Sequence, residues 1–311
     1  MSLTLVEAAK GESNVFVRGV IETFVENQRL TQVIPYRDIT GGLDGITQES
    51  VLPAAETRAV NEAFARSEGR IDEIIQSLKI YGGDIGIDPF ILATKGEEQA
   101  ARQIALKIKA ISNRWTLDFI KGDSSANARD FDGLQNRVGA AGSFNAISAG
   151  TTSGGAALSL AILDEAIARC HGARYLLMGR QMGVRLTQSA RTATLSNVRT
   201  TKNEFGDPIM EYNDLEVIPV TDNSENDNIL GFNEAASTGG ATASSIYIVG
   251  VGDEGIEGIQ NGQFRVRGLG ETAGATVPLE DTRVEWYNNF QVNHPRSVIR
   301  VQHIGDLAFV T

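Results

Sequence analysis

The chain has a single cysteine, Cys170, among its 311 residues. One cysteine cannot form an intrachain disulfide, so a secreted scaffold held by disulfides is excluded and a reducing compartment is expected. The sequence also lacks any run of 18 apolar residues, which excludes a membrane-spanning helix. Its start, MSLTLVEAAK, lacks the positive charge followed by an apolar run that is typical of a signal peptide, so we expect none.

Basic residues are missing from one long segment. No lysine or arginine occurs from Asn203 to Phe264, although 12 of the 39 acids lie there, which leaves 27 acids against 28 bases elsewhere. The net charge of −11 therefore originates in this segment. Aromatic residues make up only 6% of the chain and no basic stripe is present, so we expect no sequence-specific recognition of nucleic acid.

One glycine pattern matches the dinucleotide-binding spacing G-x-G-x-x-G and a second nearly matches it, and both are interpreted as loops. In Gly250–Gly255 the context is wrong, because further glycines interrupt the helix that would have to hold a pyrophosphate. Asp253 and Glu254 would also repel that anion. The second pattern, Gly268–Gly274, leads into a strand-like segment and is discounted for the same reason.

Other candidate chemistry is equally weak. The oxygen-rich segment Asp222–Asn228 does not match the residue pattern of an EF-hand loop. Two interpretations remain open, a nonstandard surface cation site and a solvated turn. Three histidines, at positions 171, 294 and 303, form no metal-ligand spacing with Cys170. Cys170 is interpreted as a small buried hydrophobic residue. We predict no metal, no cofactor and no catalytic residue.

The strongest pattern is a long amphipathic helix from Gly96 to Ile120. Its apolar residues recur every three or four positions and define one face: Ile104, Ile108, Ile111, Trp115 and Phe119. No proline or internal glycine interrupts it, and its 25 residues would extend about 37 Å. Gly122 is a plausible stop, and the polar loop GDSSANARDFDGL follows to Leu134.

A long helix followed by such a loop and by the residues FDGL resembles the central segment of major capsid proteins of tailed bacteriophages with the Hong Kong 97-type fold. The flanking segments agree in order. Arg70–Leu92 is similar to the family's strand that leads into the long helix, with a turn at Gly82, Gly83 and Asp84. Leu158–Cys170 and Ala173–Leu186 resemble the helix, strand and helix that open the axial domain. Glu285–Val310 resembles the returning peripheral strands.

The resemblance implies an α+β fold with four parts. These are an N-terminal arm over 1–33, an extended loop over 38–72, a peripheral domain over 34–37, 73–145 and 280–311 with the long helix as its spine, and an axial domain over 146–279. Local propensity disagrees with the extended loop, because Pro53–Arg66 has the proline start and Ala/Glu content of a helix.

Three smaller expectations complete this prediction. In the arm, apolar residues between Val17 and Val25 share a helical face. Glycines from Gly139 to Gly155 indicate a domain boundary. Residues 223–240 and 250–274 are predicted to be loops around a short strand, Ser245–Val249.

The resemblance further implies a major capsid protein that self-assembles into pentamers and hexamers of an icosahedral shell. Its expected partners are other copies of itself, a portal, a decoration protein and packaged double-stranded DNA bound without sequence specificity, and no membrane. A separate scaffolding protein is expected because the arm begins within a few residues of Met1. The expected location is the virion capsid, after assembly in the host cytoplasm. An encapsulin-like nanocompartment shell is the alternative, and a nucleotide-dependent enzyme rests on Gly250–Gly255 alone.

Seven residues are structural or interface candidates under this interpretation. They are Trp115, Phe131, Gly133 and Leu134 around the long helix, and Arg58, Arg66 and Arg70 in the extended loop. One branch of the family joins a loop lysine to an asparagine of a neighbour, but none of the seven lysines here lies within 38–72. In a shell, the acidic segment would repel DNA and would belong outside or around a capsomer axis; an ordinary solvated acidic loop is the alternative.

Overall fold

The computed structural model describes residues 3–4, 29–95, 97–141, 144–190, 198–202, 208–220, 229–271 and 279–310. Its helices are α1 (Arg29–Val33), α2 (Pro89–Lys95), α3 (Glu97–Lys121), α4 (Leu134–Ala141), α5 (Leu160–Arg169) and α6 (Arg180–Ala190). Within these ranges no helix combines the length and apolarity required to cross a membrane.

Most strands follow one another along the chain, with four between α1 and α2 and eight after α6. They are β1 (Leu3–Thr4), β2 (Pro35–Asp38), β3 (Leu43–Val51), β4 (Arg70–Ser77), β5 (Lys79–Ile87), β6 (Ala146–Ser148), β7 (Ala173–Met178), β8 (Val198–Lys202), β9 (Pro208–Tyr212), β10 (Leu215–Pro219), β11 (Ala243–Gly250), β12 (Ile256–Gln260), β13 (Arg265–Glu271), β14 (Glu280–Val292) and β15 (Val298–Gly305). The fold is therefore α+β, as predicted.

Helix α3 confirms the prediction of a long uninterrupted helix. Its 25 residues begin and end within one position of the predicted bounds. All five residues of the predicted apolar face are buried. The Gly122 N–H donates to the Asp118 carbonyl at 2.8 Å, which ends the helix. A side chain at position 122 would collide with the Phe131 carbonyl, so glycine is required where the loop folds back on the helix.

The first large sheet has the strand order β1-β2-β12-β14-β13, and β5 also pairs with β14. Strand β5 runs antiparallel to β14 through Gly82, Gly83 and Asp84, so the turn predicted at these residues is wrong. The glycines serve close packing instead. A side chain on Gly82 would meet the Val284 carbonyl oxygen, and the Lys107 side chain of helix α3 lies directly over Gly83.

The second large sheet has the order β6-β15-β11-β7-β10-β9-β8. Strand β11 is an interior strand, between β15 and β7, and all eight of its residues are buried. The helix–strand–helix pattern expected at the start of the axial domain is present as α5, β7 and α6. The resemblance of Leu158–Cys170 and Ala173–Leu186 to the family predicted this unit.

Strand pairing differs from the predicted grouping of segments at two places. Strand β15 lies in the second sheet beside β11, although 280–311 was assigned as a whole to the peripheral domain. Residues 256–271, predicted to be loop within the axial domain, form β12 and β13 and pair with β14 in the first sheet. Glycine content suggested loops, but sheet pairing with β14 determines the conformation of both strands.

A third sheet consists of β3 and β4 alone, paired antiparallel from Leu43 to Ser77. Between the strands the chain has no regular secondary structure apart from one turn at Ala59–Glu62, so the helical propensity of Pro53–Arg66 is not realised. Every residue from Leu52 to Gly69 is exposed, and a short isolated helix without packing partners is only marginally stable. We call residues 43–77 the hairpin.

Helix α3 lies between the two large sheets and contributes to the larger of two apolar clusters. That cluster combines Trp115 and Phe119 with Trp286 and Phe290 of the first sheet, and it also includes Tyr247 of the second sheet. The smaller cluster lies on the other side of the second sheet and packs helices α5 and α6 against it. The long helix is thus a shared core element that both sheets require.

The acidic segment is less exposed than its composition indicates. Three of its glutamates bond to arginines from distant parts of the chain: Glu216 to Arg29, Glu234 to Arg300 and Glu257 to Arg37. The charges of these three glutamates are therefore compensated by arginines from outside the segment. The arm residues 5–28 and the segment 221–228, which contains the Asp222–Asn228 candidate, lie outside the described residues.

Candidate assembly surfaces

The hairpin carries a stripe of exposed apolar side chains on one face. In the antiparallel register Gly45 pairs with Ile75 and Glu49 with Ile71, so Leu43, Ile71 and Ile75 point to the same side. Their exposed fractions are 65%, 68% and 59%. Several large apolar side chains exposed on one face indicate a contact surface for another molecule.

The tip of the hairpin adds a second exposed apolar group. Val60 is 91% exposed, and Leu52 and Phe64 are also exposed. The Arg58 guanidinium lies over the Phe64 ring, 5.4 Å from its centroid, and donates to the Glu62 carbonyl at 3.2 Å. This contact orders an aromatic side chain at the tip and leaves most of its surface open.

The three predicted arginines of the extended loop all lie on the hairpin, separated from one another. Arg66 is exposed at the tip, and Arg70 at the start of β4 pairs with Asp72 at 2.8 Å. Because Arg70 and Asp72 are both solvated, their ion pair contributes little to stability. The arginines do not form one cluster, but each is accessible to a neighbouring molecule.

The root of the hairpin is held firmly to the body. The Asn289 amide donates to the Ser77 carbonyl at 2.7 Å, and the Lys79 ammonium donates to the Ala128 carbonyl at 2.9 Å. Arg37 bonds to Asp44 at the start of β3. These bonds come from three separate parts of the chain. They position the base of the hairpin while its tip makes no such contact among the described residues.

A cleft of about 650 Å³ separates the lower part of the hairpin from the body. Ile46 and Ile74, a cross-strand pair on the face opposite the exposed stripe, line one wall. Arg137 lines the other wall and reaches across to Gln76 at 3.1 Å. Burial lowers the pKa of the Arg137 guanidinium to about 10, so it remains a cation at neutral pH.

The four candidates around the long helix lie inside the subunit. Trp115, Phe131 and Leu134 are buried, and Phe131 contacts the Tyr81 and Phe290 rings at centroid distances of 5.6 and 5.3 Å. They are core residues and do not form an outer surface. A Cβ at Gly133 would lie 2.5 Å from the Asp118 carbonyl oxygen, so this position accepts only glycine without a backbone shift.

A buried polar network joins the loop after α3 to the helix, and sequence reasoning missed it. Asp118 accepts bonds from the Tyr81 hydroxyl at 2.7 Å and from Arg114 at 2.9 Å, and Arg114 also bonds to Asp130. Burial raises the pKa of the Asp118 carboxyl, against the lowering effect of Tyr81 and Arg114. The i, i+4 spacing of Arg114 and Asp118 was the only sequence indication.

The competing chemical motifs find no support in the geometry. Gly250–Gly255 is a turn between β11 and β12, with Gly252 at φ +121°, and a strand follows it where a dinucleotide site needs a helix. Burial raises the pKa of the Cys170 thiol to about 12, so it is not a poised nucleophile. Among the described residues, no group of three potential metal ligands comes together.

Comparison with solved structures identifies the fold, whereas comparison of sequences does not. No family model and no curated protein matches the sequence. Among solved structures, the chain is similar to the holo-SrpI encapsulin complex of Synechococcus elongatus, with a TM-score of 0.66, 16% identity and coverage of 91% of this chain and 89% of that one.

Two further structures agree. A chain of Mycobacterium phage Bobi has a TM-score of 0.60 and 12% identity, covering 88% of this chain and 89% of its own. The capsid of a native GTA particle has a TM-score of 0.59 and 13% identity with the same coverage. The chain therefore has the Hong Kong 97-type fold over nearly its full length, as the sequence resemblance predicted.

Proposed function

We propose that this chain is a structural protein that assembles with copies of itself into a closed shell. The observation that carries this proposal is the hairpin, whose apolar stripe and tip project from a body with complete apolar cores of its own. A monomer gains nothing from such exposure, whereas a symmetric assembly buries the same surface in every copy. The comparisons support this proposal through fold, because solved relatives of this architecture include a capsid and an encapsulin complex.

The specific function that we propose is the major capsid protein of a tailed DNA bacteriophage, arranged in pentamers and hexamers. The phage and GTA likenesses support it, as does the sequence resemblance around the long helix. A portal, a scaffolding protein and a decoration protein are the expected partners. Packaged DNA would be enclosed without sequence-specific contacts, in the virion, after assembly in the host cytoplasm.

An encapsulin-like shell is the second candidate, and the likeness to the encapsulin complex favours it. Both candidates predict closed particles and differ in what the particle encloses. A viral shell encloses a genome, whereas a nanocompartment encloses protein cargo.

Electron microscopy of the purified chain tests the shell proposal directly. We expect closed particles or ring-shaped capsomers at high protein concentration. A well-behaved monomer under the same conditions would contradict the proposal. Treatment of native particles with nuclease, followed by extraction, then separates the two candidates. Protected DNA of uniform length identifies a viral capsid, and a stoichiometric second protein without DNA identifies a nanocompartment.

A further inference from the structure

Two short segments carry the chain directly between the two large sheets. Residues 251–255 join β11 to β12, and residues 293–297 join β14 to β15. They lie side by side, because the Gly250 N–H donates to the Ser297 carbonyl at 2.8 Å and the Asn293 N–H donates to the Gly255 carbonyl at 2.9 Å. We call these two segments the crossings. A change in the angle between the sheets would bend both crossings.

Two of the chain's three histidines stack on each other at the crossings. His294 lies within the second crossing, and His171 follows helix α5 and donates its backbone N–H to the Arg296 carbonyl at 2.9 Å. Their ring centroids are 4.3 Å apart, with 26° between the planes. The Arg296 N–H donates to His294 Nδ1 at 3.1 Å, so that nitrogen is an unprotonated acceptor in this arrangement.

Charged groups of both signs surround the stack. On the first crossing, Glu254 Oε2 lies 3.2 Å from His171 Nε2, next to Asp253. Arg296 lies beside His294, and Arg169 at the end of helix α5 shares with Arg296 a contact to the Phe144 ring. Burial, followed by the charges of His171 and Arg296, lowers the pKa of His294, and Glu254 opposes this shift.

We propose that the stacked pair His171–His294 is a proton-sensitive latch on the crossings. While both rings are neutral, the latch holds the two sheets in one relative arrangement. Protonation of His294 places a hydrogen on Nδ1, which can then no longer accept the Arg296 N–H. Two imidazolium rings 4.3 Å apart also repel each other. The latch matters for assembly only under the proposed shell function, since the angle between the sheets sets how copies meet.

The direction of the pH effect follows from the lowered pKa of His294. The closed latch binds a proton less readily than an opened or unfolded chain, in which His294 has its ordinary pKa of about 6.5. The stability contributed by the latch is therefore complete above that pH. It is lost as the pH falls from about 6.5 through the lowered pKa of His294.

Hydrogen–deuterium exchange of the full chain tests this, at about pH 7.5 and about pH 5, with rates corrected for the intrinsic effect of pH. We expect protection at 251–255 and 293–297 to fall about tenfold on acidification. His294→Gln should abolish this response. His303→Gln, a matched change away from the crossings, should retain it. A response that is absent in the wild type, or unchanged in His294→Gln, would overturn the latch.

Two charge variants keep both histidines and test the same latch if His294→Gln fails to fold. Arg296→Gln removes a cation that lowers the pKa of His294, so the midpoint of the response should move to higher pH. Glu254→Gln removes the opposing carboxylate, so the midpoint should move to lower pH. Midpoints that do not move, or that both move the same way, overturn the latch. Hydrogen–deuterium exchange can be measured on the chain whether or not it forms shells. If no shells form but the pH response is intact, the result contradicts the proposed function and leaves the latch standing.

Discussion

Trp115 of helix α3 donates its indole N–H to Asn288 Oδ1 of strand β14 at 2.9 Å. Both side chains are completely buried, and 173 residues separate them in sequence. The indole ring also stacks on Phe119 at a centroid distance of 5.1 Å. The bond therefore fixes the rotation of the long helix relative to the first sheet, in addition to the apolar contacts that hold the two together.

Trp115→Ala should lower the free energy of unfolding by about 3–5 kcal/mol, because it opens a large cavity in the shared core. Trp115→Phe keeps most of the packing and leaves the buried Asn288 oxygen without its donor, which costs about 1–3 kcal/mol. Urea denaturation of the unassembled subunit measures both. Equal losses for the two variants would show that the hydrogen bond, rather than the ring volume, governs stability at this site.

Changes on the hairpin should separate assembly from folding. Arg66→Ala and Phe64→Ser alter exposed side chains, so each should change the free energy of unfolding by no more than about 0.5 kcal/mol. Shell closure, followed by light scattering and microscopy, should nevertheless be impaired. Val184→Ser, at a half-exposed apolar residue on helix α6, is the matched control and should close normally. Loss of soluble protein from the hairpin variants to the same extent as from Trp115→Ala would contradict this division.

The sequence predicted the long helix well because its determinants are local. One stripe of apolar residues at helical spacing, with no glycine or proline within it, permits few alternatives. The same reasoning failed at Pro53–Arg66, where helical propensity has no packing surface to support it, and at 256–271, where pairing with β14 makes strands of glycine-rich segments. The placement of β15 depends on contacts with β11, some 50 residues earlier in the chain, which no local pattern reveals.

Charge pairing was equally inaccessible to local reasoning. The acidic segment contains no basic residue, yet the fold brings Arg300 to Glu234 from a position 66 residues away. Arg29 and Glu216 are separated by 187 residues. The sequence therefore shows which charges are present, but only the folded structure shows which of them have a partner of opposite charge.

The buried pair Glu234–Arg300 should behave as one unit. Its nitrogen and oxygen are 2.9 Å apart, and the side chains are only 8% and 12% exposed. Glu234→Gln or Arg300→Met alone should cost about 3–5 kcal/mol, because each leaves an uncompensated buried group. The double variant should lose about 2–3 kcal/mol less unfolding free energy than the sum of the two single losses. The exposed pair Arg70–Asp72 is the control, with a coupling of no more than about 1 kcal/mol. Additive costs at Glu234 and Arg300 would refute the prediction.

We expect the contacts between copies to be noncovalent. Covalent joining through the hairpin would need a neutral amine nucleophile, and the hairpin has no lysine from position 43 to 77. Lys79, which follows directly, is engaged at the root with the Ala128 carbonyl. Arg58 and Arg66 cannot replace a lysine, because a guanidinium stays protonated and is a poor nucleophile, although it can donate charge-assisted hydrogen bonds to acids of a neighbour.

Particles boiled in detergent should consequently run as a single band near the monomer mass of 33.4 kDa. The same particles treated first with an amine-reactive cross-linker give the ladder that a covalent shell would produce, and they serve as the positive control. A ladder in untreated particles would refute noncovalent closure. Tandem mass spectrometry of its bands would then identify the two joined residues.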